Sequence, residues 1–321
     1  MSASPANTPA PALPAEVWAE MQRIGPIWGS NVPGHVQRMV DVFTALHKQR
    51  PADDVVIARD LAYGPHQNHR LDVFSQPGAQ SRPVIVFVHG GAFVSGRRDR
   101  SDEIYANVLR YFARHGYVGV NIDYRLAPEA TYPSGAQDVG AAIAWVRSHI
   151  ADYGGAPDTI FLAAHSAGGA HACAWLCDPH VRRQQAHGVS GLLIISGRVR
   201  ADADGDNPNA VKVRAYYGDD LSTYAERSPV SHASRIDCPV FVAFAEYENP
   251  LIDIYCLELA HQVARGQRRA PDVVRLLGHN HTSIIAHINT AEDDLGRRMR
   301  LFLQRVLNKN SSQTNQAEKQ P

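Results

Sequence analysis

Ser166 stands where a hydrophobic run breaks into residues almost without side chains, in IFLAAHSAGGAHA, Ile160 to Ala172. A serine becomes a nucleophile most readily on a sharp strand-to-helix turn, where strained backbone angles lift Oγ clear of its neighbours. The residues two before and two after it must then be small. Here they are Ala164 and Gly168, so the chain reads A-H-S-A-G where the usual pattern is G-x-S-x-G. Alanine meets the steric demand at the cost of some crowding. A serine at a helix start also reads as a plain N-cap, but its place directly after a buried strand favours the nucleophilic turn.

A second stretch supplies what such a serine needs. VHGGAF begins 77 residues before Ser166, counting from His89, and also follows an apolar run directly. Acyl transfer from a serine makes a tetrahedral oxyanion, which requires fixed N–H donors in a dry site. Glycine lets backbone approach a ligand closely because it has no Cβ. The expected donors are the amides of Gly91 and Ala92, with the amide of Ala167 at a helix N-terminus whose dipole also favours negative charge.

Elements that would position these groups follow from the pattern. VVIA (Val55 to Ala58) and RLDVF (Arg70 to Phe74) read as two strands around the turn-rich YGPHQNH. VIVFVH (Val84 to His89) is a continuous apolar, β-branched run, as in a strand covered on both faces. Further strands are expected at Val118 to Ile122, Ile160 to Ala164, Gly191 to Ile195, Val240 to Ala245 and Val273 to Leu277. Helices alternate with them: Asp102 to His115, the segment carrying Val139, Ala142, Ile143, Val146 and Ile150, the small-residue helix from Ala167, Leu251 to Ala264, and a last helix with Met299, Phe302, Leu303 and Val306 on one face. Alternation of this kind predicts an α/β fold, a mostly parallel eight-stranded sheet with helices on both faces.

Two segments fall outside the alternation. Glu16 to Lys48 is helical in pattern and carries Trp18 and Trp28, while Gly197 to Arg227 is long, polar and acidic between two strands. Both are expected to form a helical cap over one end of the sheet. The organisation predicted is a disordered tail over 1–15, N-terminal cap helices over 16–52, a core over 53–309 with a cap or loop insertion near 197–227, and a disordered tail over 310–321.

Composition narrows the partners. The chain has 321 residues, 44% of them hydrophobic, and 32 basic against 32 acidic side chains. A net charge of zero argues against nucleic acid or an anionic membrane as a partner. The first basic residue is Arg23, no apolar run approaches the ~20 residues that span a bilayer, and four cysteines are too few for a disulfide framework. A cytoplasmic protein is expected, with Cys173 and Cys177, one turn apart, as small core residues.

HGGAF, DYRLAPE (Asp123 to Glu129) and HSAGG together resemble the hormone-sensitive-lipase-like carboxylesterases of the α/β-hydrolase superfamily. HSAGGAHA leans towards the related kynurenine-formamidase-like branch. The resemblance runs over roughly 70–307 and implies the order serine, acid, histidine, with the acid after the seventh strand and the histidine after the eighth. The esterase pattern Asp-Pro-Leu would place the acid at residue 249, which is Asn249; the formamidase-like pattern places it one residue earlier, on Glu248, with Asp253 and Glu246 as alternatives. In GHNHTSI the implied histidine is His281, 33 residues after Glu248, with His279 its rival. H-x-H can also present two rings to a metal, although no metal is assigned. His165 is expected to pack or hydrogen-bond beneath the turn, and DYRLAPE to be structural, with short-range partners for Asp123 and Arg125.

The implied function is a serine hydrolase cleaving a small or aromatic carboxylic ester through an acyl-enzyme, with Ser166 as nucleophile, His281 as base and Glu248 orienting it. Chemistry of this kind needs neither metal nor cofactor. Trp18 and Trp28 are expected to line the acyl or alcohol pocket. An amidase or formamidase acting on an aryl formamide is the close alternative, and a non-catalytic small-molecule binding protein on the same fold is a third. A homodimer through the final strand and helix is implied by resemblance.

Overall fold

The computed structural model describes residues 13–50, 54–181, 187–205 and 207–317. Its framework is one eight-stranded sheet: β1 (Val56–Ala62), β2 (Arg70–Ser75), β3 (Arg82–Val88), β4 (Val118–Ile122), β5 (Gly155–His165), β6 (Val189–Ile195), β7 (Val240–Tyr247) and β8 (Asp272–Asn280). The order across the sheet is β1-β2-β4-β3-β5-β6-β7-β8. Only β2 runs against its neighbours; β3 through β8 are parallel to one another. All strands predicted from the sequence are present.

Helices are α1 (Ala15–Ile24), α2 (Val32–His47), α3 (Ala106–Arg114), α4 (Ser134–His149), α5 (Ala167–Cys177), α6 (Ala210–Tyr217), α7 (Tyr224–Arg227), α8 (Ile252–Gln267), α9 (Ser283–Ala286) and α10 (Asp294–Ala317). Alternation in β3 sorts the core into two halves. Val84, Val86 and Val88 join one apolar cluster with Val139, Ile143 and Val146 of α4 and Leu259 of α8. Ile85 and Phe87 face the other way, into a cluster with Met21, Phe43, Leu109, Phe112 and Leu303. Each fully buried side chain of this kind stabilises the fold by about 1.5–3 kcal/mol. Cys173 and Cys177 lie in the first cluster.

Two boundaries differ from the sequence reading. The helix expected from Asp102 starts at Ala106. Before it, Ser101 Oγ accepts the amides of Glu103 and Ile104 at 3.3 and 3.1 Å, a side-chain alternative to helical bonding. The tail expected from residue 310 continues as helix to Ala317, since NSSQTNQA contains neither the glycine nor the proline that would stop it. Of the tail expected over 1–15, residues 1–12 lie outside the described residues; Leu13 is buried and Ala15 already opens α1.

α1, α2 and the 3₁₀ turn between them (Gly25–Asn31) pack on the second cluster, α1 reaching β8 and α2 reaching α9. α6 and α7 pack Tyr216, Tyr217 and Tyr224 against Phe93, Ala167 and Ala170. Both irregular segments thus approach the sheet where β3, β5, β7 and β8 end.

Candidate active site

Parallel neighbouring strands deliver their last residues to one edge. β3 ends in His89-Gly90-Gly91-Ala92, β5 in Ser166, β6 in Ser196, β7 in Glu248 and β8 in His281. Ser166 has φ 54° and ψ −122°, the strained backbone of a sharp turn. Its amide donates to Ile195 at 3.1 Å, and its carbonyl accepts from Gly169 and Arg198 at 3.0 and 2.9 Å. The turn is possible because its surroundings are small. A Cβ on Gly168 would meet the carbonyl oxygens of Val88 and His89 at 2.4 and 2.5 Å, and one on Gly90 would meet the Ser166 Cβ at 2.9 Å.

The hydroxyl of Ser166 makes no cap to α5. It lies 3.0 Å from His281 Nε2 instead. On the far side of that ring, Nδ1–H donates to Glu248 Oε2 at 2.5 Å, which assigns Nε2 as the acceptor of the serine proton. Glu248 Oε1 accepts from the Ala245 amide at 2.8 Å and from the Ser196 hydroxyl. Both carboxylate oxygens are therefore held, and the pair is almost wholly enclosed, with side chains 6% and 4% exposed.

The competing residues go elsewhere. Asn249 accepts the Trp28 indole N–H at 2.9 Å, Asp253 accepts the Ile254 amide in the first turn of α8, and Glu246 accepts the Gly278 amide at 2.7 Å. His279 lies 3.1 Å from Glu292 Oε1 and 3.2 Å from Ser283 Oγ. Ligand atoms of His279, His287 and Glu292 fall within 4.8 Å of one another. His287 spends Nδ1–H on the Ser283 carbonyl and Nε2 on the Leu295 amide, so the trio is a hydrogen-bonded brace behind β8. His281 takes no part in it. His165 is buried below the turn, where Nε2–H donates to the His281 carbonyl at 3.0 Å and Nδ1 faces the Tyr105 hydroxyl at 3.3 Å. Burial, followed by the charge of His281, holds its pKa well below the usual range, so it stays neutral.

A cavity of about 250 Å³ opens over Ser166, lined by Gly90, Gly91, Ala92 and His281 among others. Gly91 and Ala92 have φ 149° and 51°, and a Cβ on Gly91 would meet the Ser95 carbonyl oxygen at 1.7 Å; only glycine allows this loop to fold over the serine. Ala167, the third expected donor, is buried at the start of α5. Trp18 and Trp28 do not line the cavity, contrary to expectation. Trp18 is 40% exposed beside His279, and Trp28 is turned into the core towards Asn249. Val32, Pro33 and Val36 of α2 supply the apolar wall from that segment. DYRLAPE is part of a buried ionic network, but its partners are not local: Asp123 is held by Arg98, which also binds Asp72 and Asp60 at 3.0 Å, and Arg125 pairs with Asp138 at 2.6 Å.

A family model described as BD-FAE matches residues 71–177. Esterase LipQ of Mycobacterium tuberculosis is 38% identical over 120 residues, covering 36% of this chain and 27% of LipQ. A probable isoprenylcysteine alpha-carbonyl methylesterase of Arabidopsis thaliana is 31% identical over 166 residues, 50% of this chain and 30% of that protein. These likenesses agree with the resemblance to the hormone-sensitive-lipase-like carboxylesterases that HGGAF, DYRLAPE and HSAGG carry. Its matches span about a third or less of the length of these curated relatives. Esterase B from Lactobacillus rhamnosis superposes with a TM-score of 0.72 at 17% identity, covering 96% of this chain and all of that one. The esterase from Pyrobaculum calidifontis does so at 0.66 and 22%, covering 94% and 98%. Both show the same α/β-hydrolase fold. Three features of the site were not foreseen: Ser196 as a support of Glu248, the Trp28–Asn249 bond, and Arg198 in the cavity wall. Only Ser196 carried a signal, a polar residue at the carboxyl end of an apolar strand.

Proposed function

We propose that the protein is a serine hydrolase that cleaves small carboxylic esters through an acyl-enzyme. The observation that carries this reading is the continuous chain from Ser166 Oγ through His281 to Glu248, at 3.0 and 2.5 Å. His281 Nε2 takes the hydroxyl proton as Oγ attacks the ester carbonyl, and the resulting imidazolium is stabilised by Glu248. The amides of Gly91, Ala92 and Ala167 hold the oxyanion. His281 then returns the proton to the departing alcohol, and water, activated by the same ring, releases the acid. LipQ, an esterase, and the plant protein, a probable methylesterase, agree with this chemistry.

Intact-mass spectrometry after brief exposure to p-nitrophenyl acetate tests it. An acetyl adduct on the wild type, absent in Ser166→Ala, is expected; full ester turnover by Ser166→Ala would refute it.

One observation favours a second reading, amide cleavage. The acid that meets His281 is Glu248 and not residue 249, which is the placement of the formamidase-like pattern. An aryl formamide assayed beside the ester separates the two readings.

A further inference from the structure

The wall of the same cavity holds a buried guanidinium that the hydrolytic residues do not use. Arg198 lies three residues beyond β6 and is only 2% exposed. Its backbone is fixed against the nucleophile, since its amide donates to the Ser166 carbonyl at 2.9 Å. Arg198 is among the residues that line the cavity, together with Ser166 and His281. Neither of its terminal nitrogens has a hydrogen-bond partner among the described residues. Its nearest ring neighbour is Tyr255, whose centre is 6.0 Å from the guanidinium carbon. Asp202, the acid of that neighbourhood, is already committed to the Tyr255 hydroxyl and the Asp204 amide.

A cation buried without a partner is costly. A guanidinium also has a preferred occupant, because its planar fork of N–H donors matches the two oxygens of a carboxylate. The rest of the cavity agrees in sign. Among the described lining residues, those charged at neutral pH are Arg100, Arg198 and Lys212, all cations, although the whole chain carries no net charge. Val32, Val36, Ile104 and Ile285 offer apolar contact in the same cavity.

We propose that the cavity selects substrates carrying a carboxylate apart from the bond that is cleaved, and that Arg198 binds this carboxylate through its two terminal nitrogens. The reaction rests on the serine-hydrolase reading above; the anion site does not. A neutral substrate of the same shape leaves the guanidinium buried and unpaired, and a site built to bind a polar group rejects the analogue that lacks it.

Matched ester pairs test this. p-Nitrophenyl butyrate against mono-p-nitrophenyl succinate places the carboxylate on the acyl side, and phenyl acetate against 4-acetoxybenzoate places it on the leaving group. The readout is the charged-to-neutral ratio of kcat/KM, so a general loss of activity cancels. The wild type should prefer the charged member of at least one pair. That ratio should fall about 10–100-fold in Arg198→Gln and recover in part in Arg198→Lys. A ratio below one in both pairs, unchanged by Arg198→Gln while neutral esters turn over through Ser166, overturns the anion site and leaves the hydrolase reading intact. If no ester is turned over, the hydrolase reading fails, and melting temperatures decide the anion site. A rise for Ser166→Ala with 4-phenylbutyrate but not with 4-phenylbutyramide, lost when Arg198→Gln is added, supports it; equal shifts or none reject it.

Discussion

The Trp28 indole N–H donates to Asn249 Oδ1 at 2.9 Å, joining residues 221 positions apart and burying both. This bond explains why the acid is displaced by one residue. Position 249 is turned towards the N-terminal segment, and Glu248 reaches back to His281 with its longer arm. Glu248→Gln should therefore lower kcat about a thousandfold or more, as loss of the orienting carboxylate does in serine hydrolases. Adding Asn249→Asp should not restore it, because the new carboxylate would face an indole. Recovery of esterase turnover in the double variant would show that the loop re-registers. Trp28→Phe, which leaves Oδ1 buried without its donor, should cost about 1–3 kcal/mol in denaturant unfolding.

In the proposed reaction Ser196 would act through Glu248. Its hydroxyl and the Ala245 amide both bind Oε1, which leaves Oε2 directed at the imidazole. Ser196→Ala should lower kcat about tenfold with KM nearly unchanged, since one hydrogen bond to a charged group is worth about 1.5–3 kcal/mol. Ser196→Thr, which keeps the hydroxyl, should recover most of the loss. Steady-state kinetics on one p-nitrophenyl ester reads both; a change confined to KM would contradict the positioning role.

Local motifs made much of this site legible in the sequence, and long-range pairings made the rest illegible. The turn at Ser166 needs small residues at fixed offsets, and the loop at Gly91 needs glycine, so both leave a mark within a few positions. Glu248 and His281 follow strands whose apolar runs are unmistakable, but choosing them over Asp253, Glu246 and His279 rested on the family resemblance. Nothing within a few residues of Trp28 announces a partner at residue 249, so it read as pocket wall. Arg198 looked like one of several charges in a polar loop; its burial depends on β6, α8 and the second cap segment closing around it. Asp123 and Arg125 suggested short-range partners because composition shows charge without showing that Arg98 and Asp138 are brought to them.

Arg98 is the hub of that network. Its guanidinium binds Asp72, Asp60 and Asp123, and its own amide donates to Asp123 Oδ1 at 2.5 Å. Arg98→Met would leave Asp72 with only the longer Arg59 contact and Asp123 with only His89, each at 3.4 Å, at a cost of about 3 kcal/mol. Arg98→Lys should recover little, because a point charge cannot reach three carboxylates at once. Urea unfolding compares the three proteins; equal midpoints for Lys and Arg would mean that charge alone matters.

His47 links the N-terminal segment to the histidine loop and makes stability depend on pH. Its Nε2–H donates to the Ala286 carbonyl at 2.8 Å, five residues beyond His281. Burial, partly opposed by that hydrogen bond, pushes its pKa from the ordinary 6.5 down to about 4. The unfolded chain therefore takes up this proton as pH falls through 6.5, while the folded protein does not until about 4. The stabilisation is complete above 6.5 and is lost progressively down to 4, amounting to about 2 kcal/mol at pH 5. His171 and His287, both pushed down by burial to about 3, act in the same direction. Asp293 opposes them: burial raises its pKa to about 6, so the folded state takes its proton first between 6 and 3.8. His69, His115 and His165 are also pushed down by burial, so six depressed histidines against one raised aspartate among the described residues leave a net loss on acidification. His47→Gln, which preserves the N–H donor but cannot titrate, should flatten the fall in unfolding free energy between pH 7 and pH 5 by about 2 kcal/mol. Urea titrations of both proteins at the two pH values measure it, and identical slopes would mean that His47 titrates alike in the folded and unfolded chains.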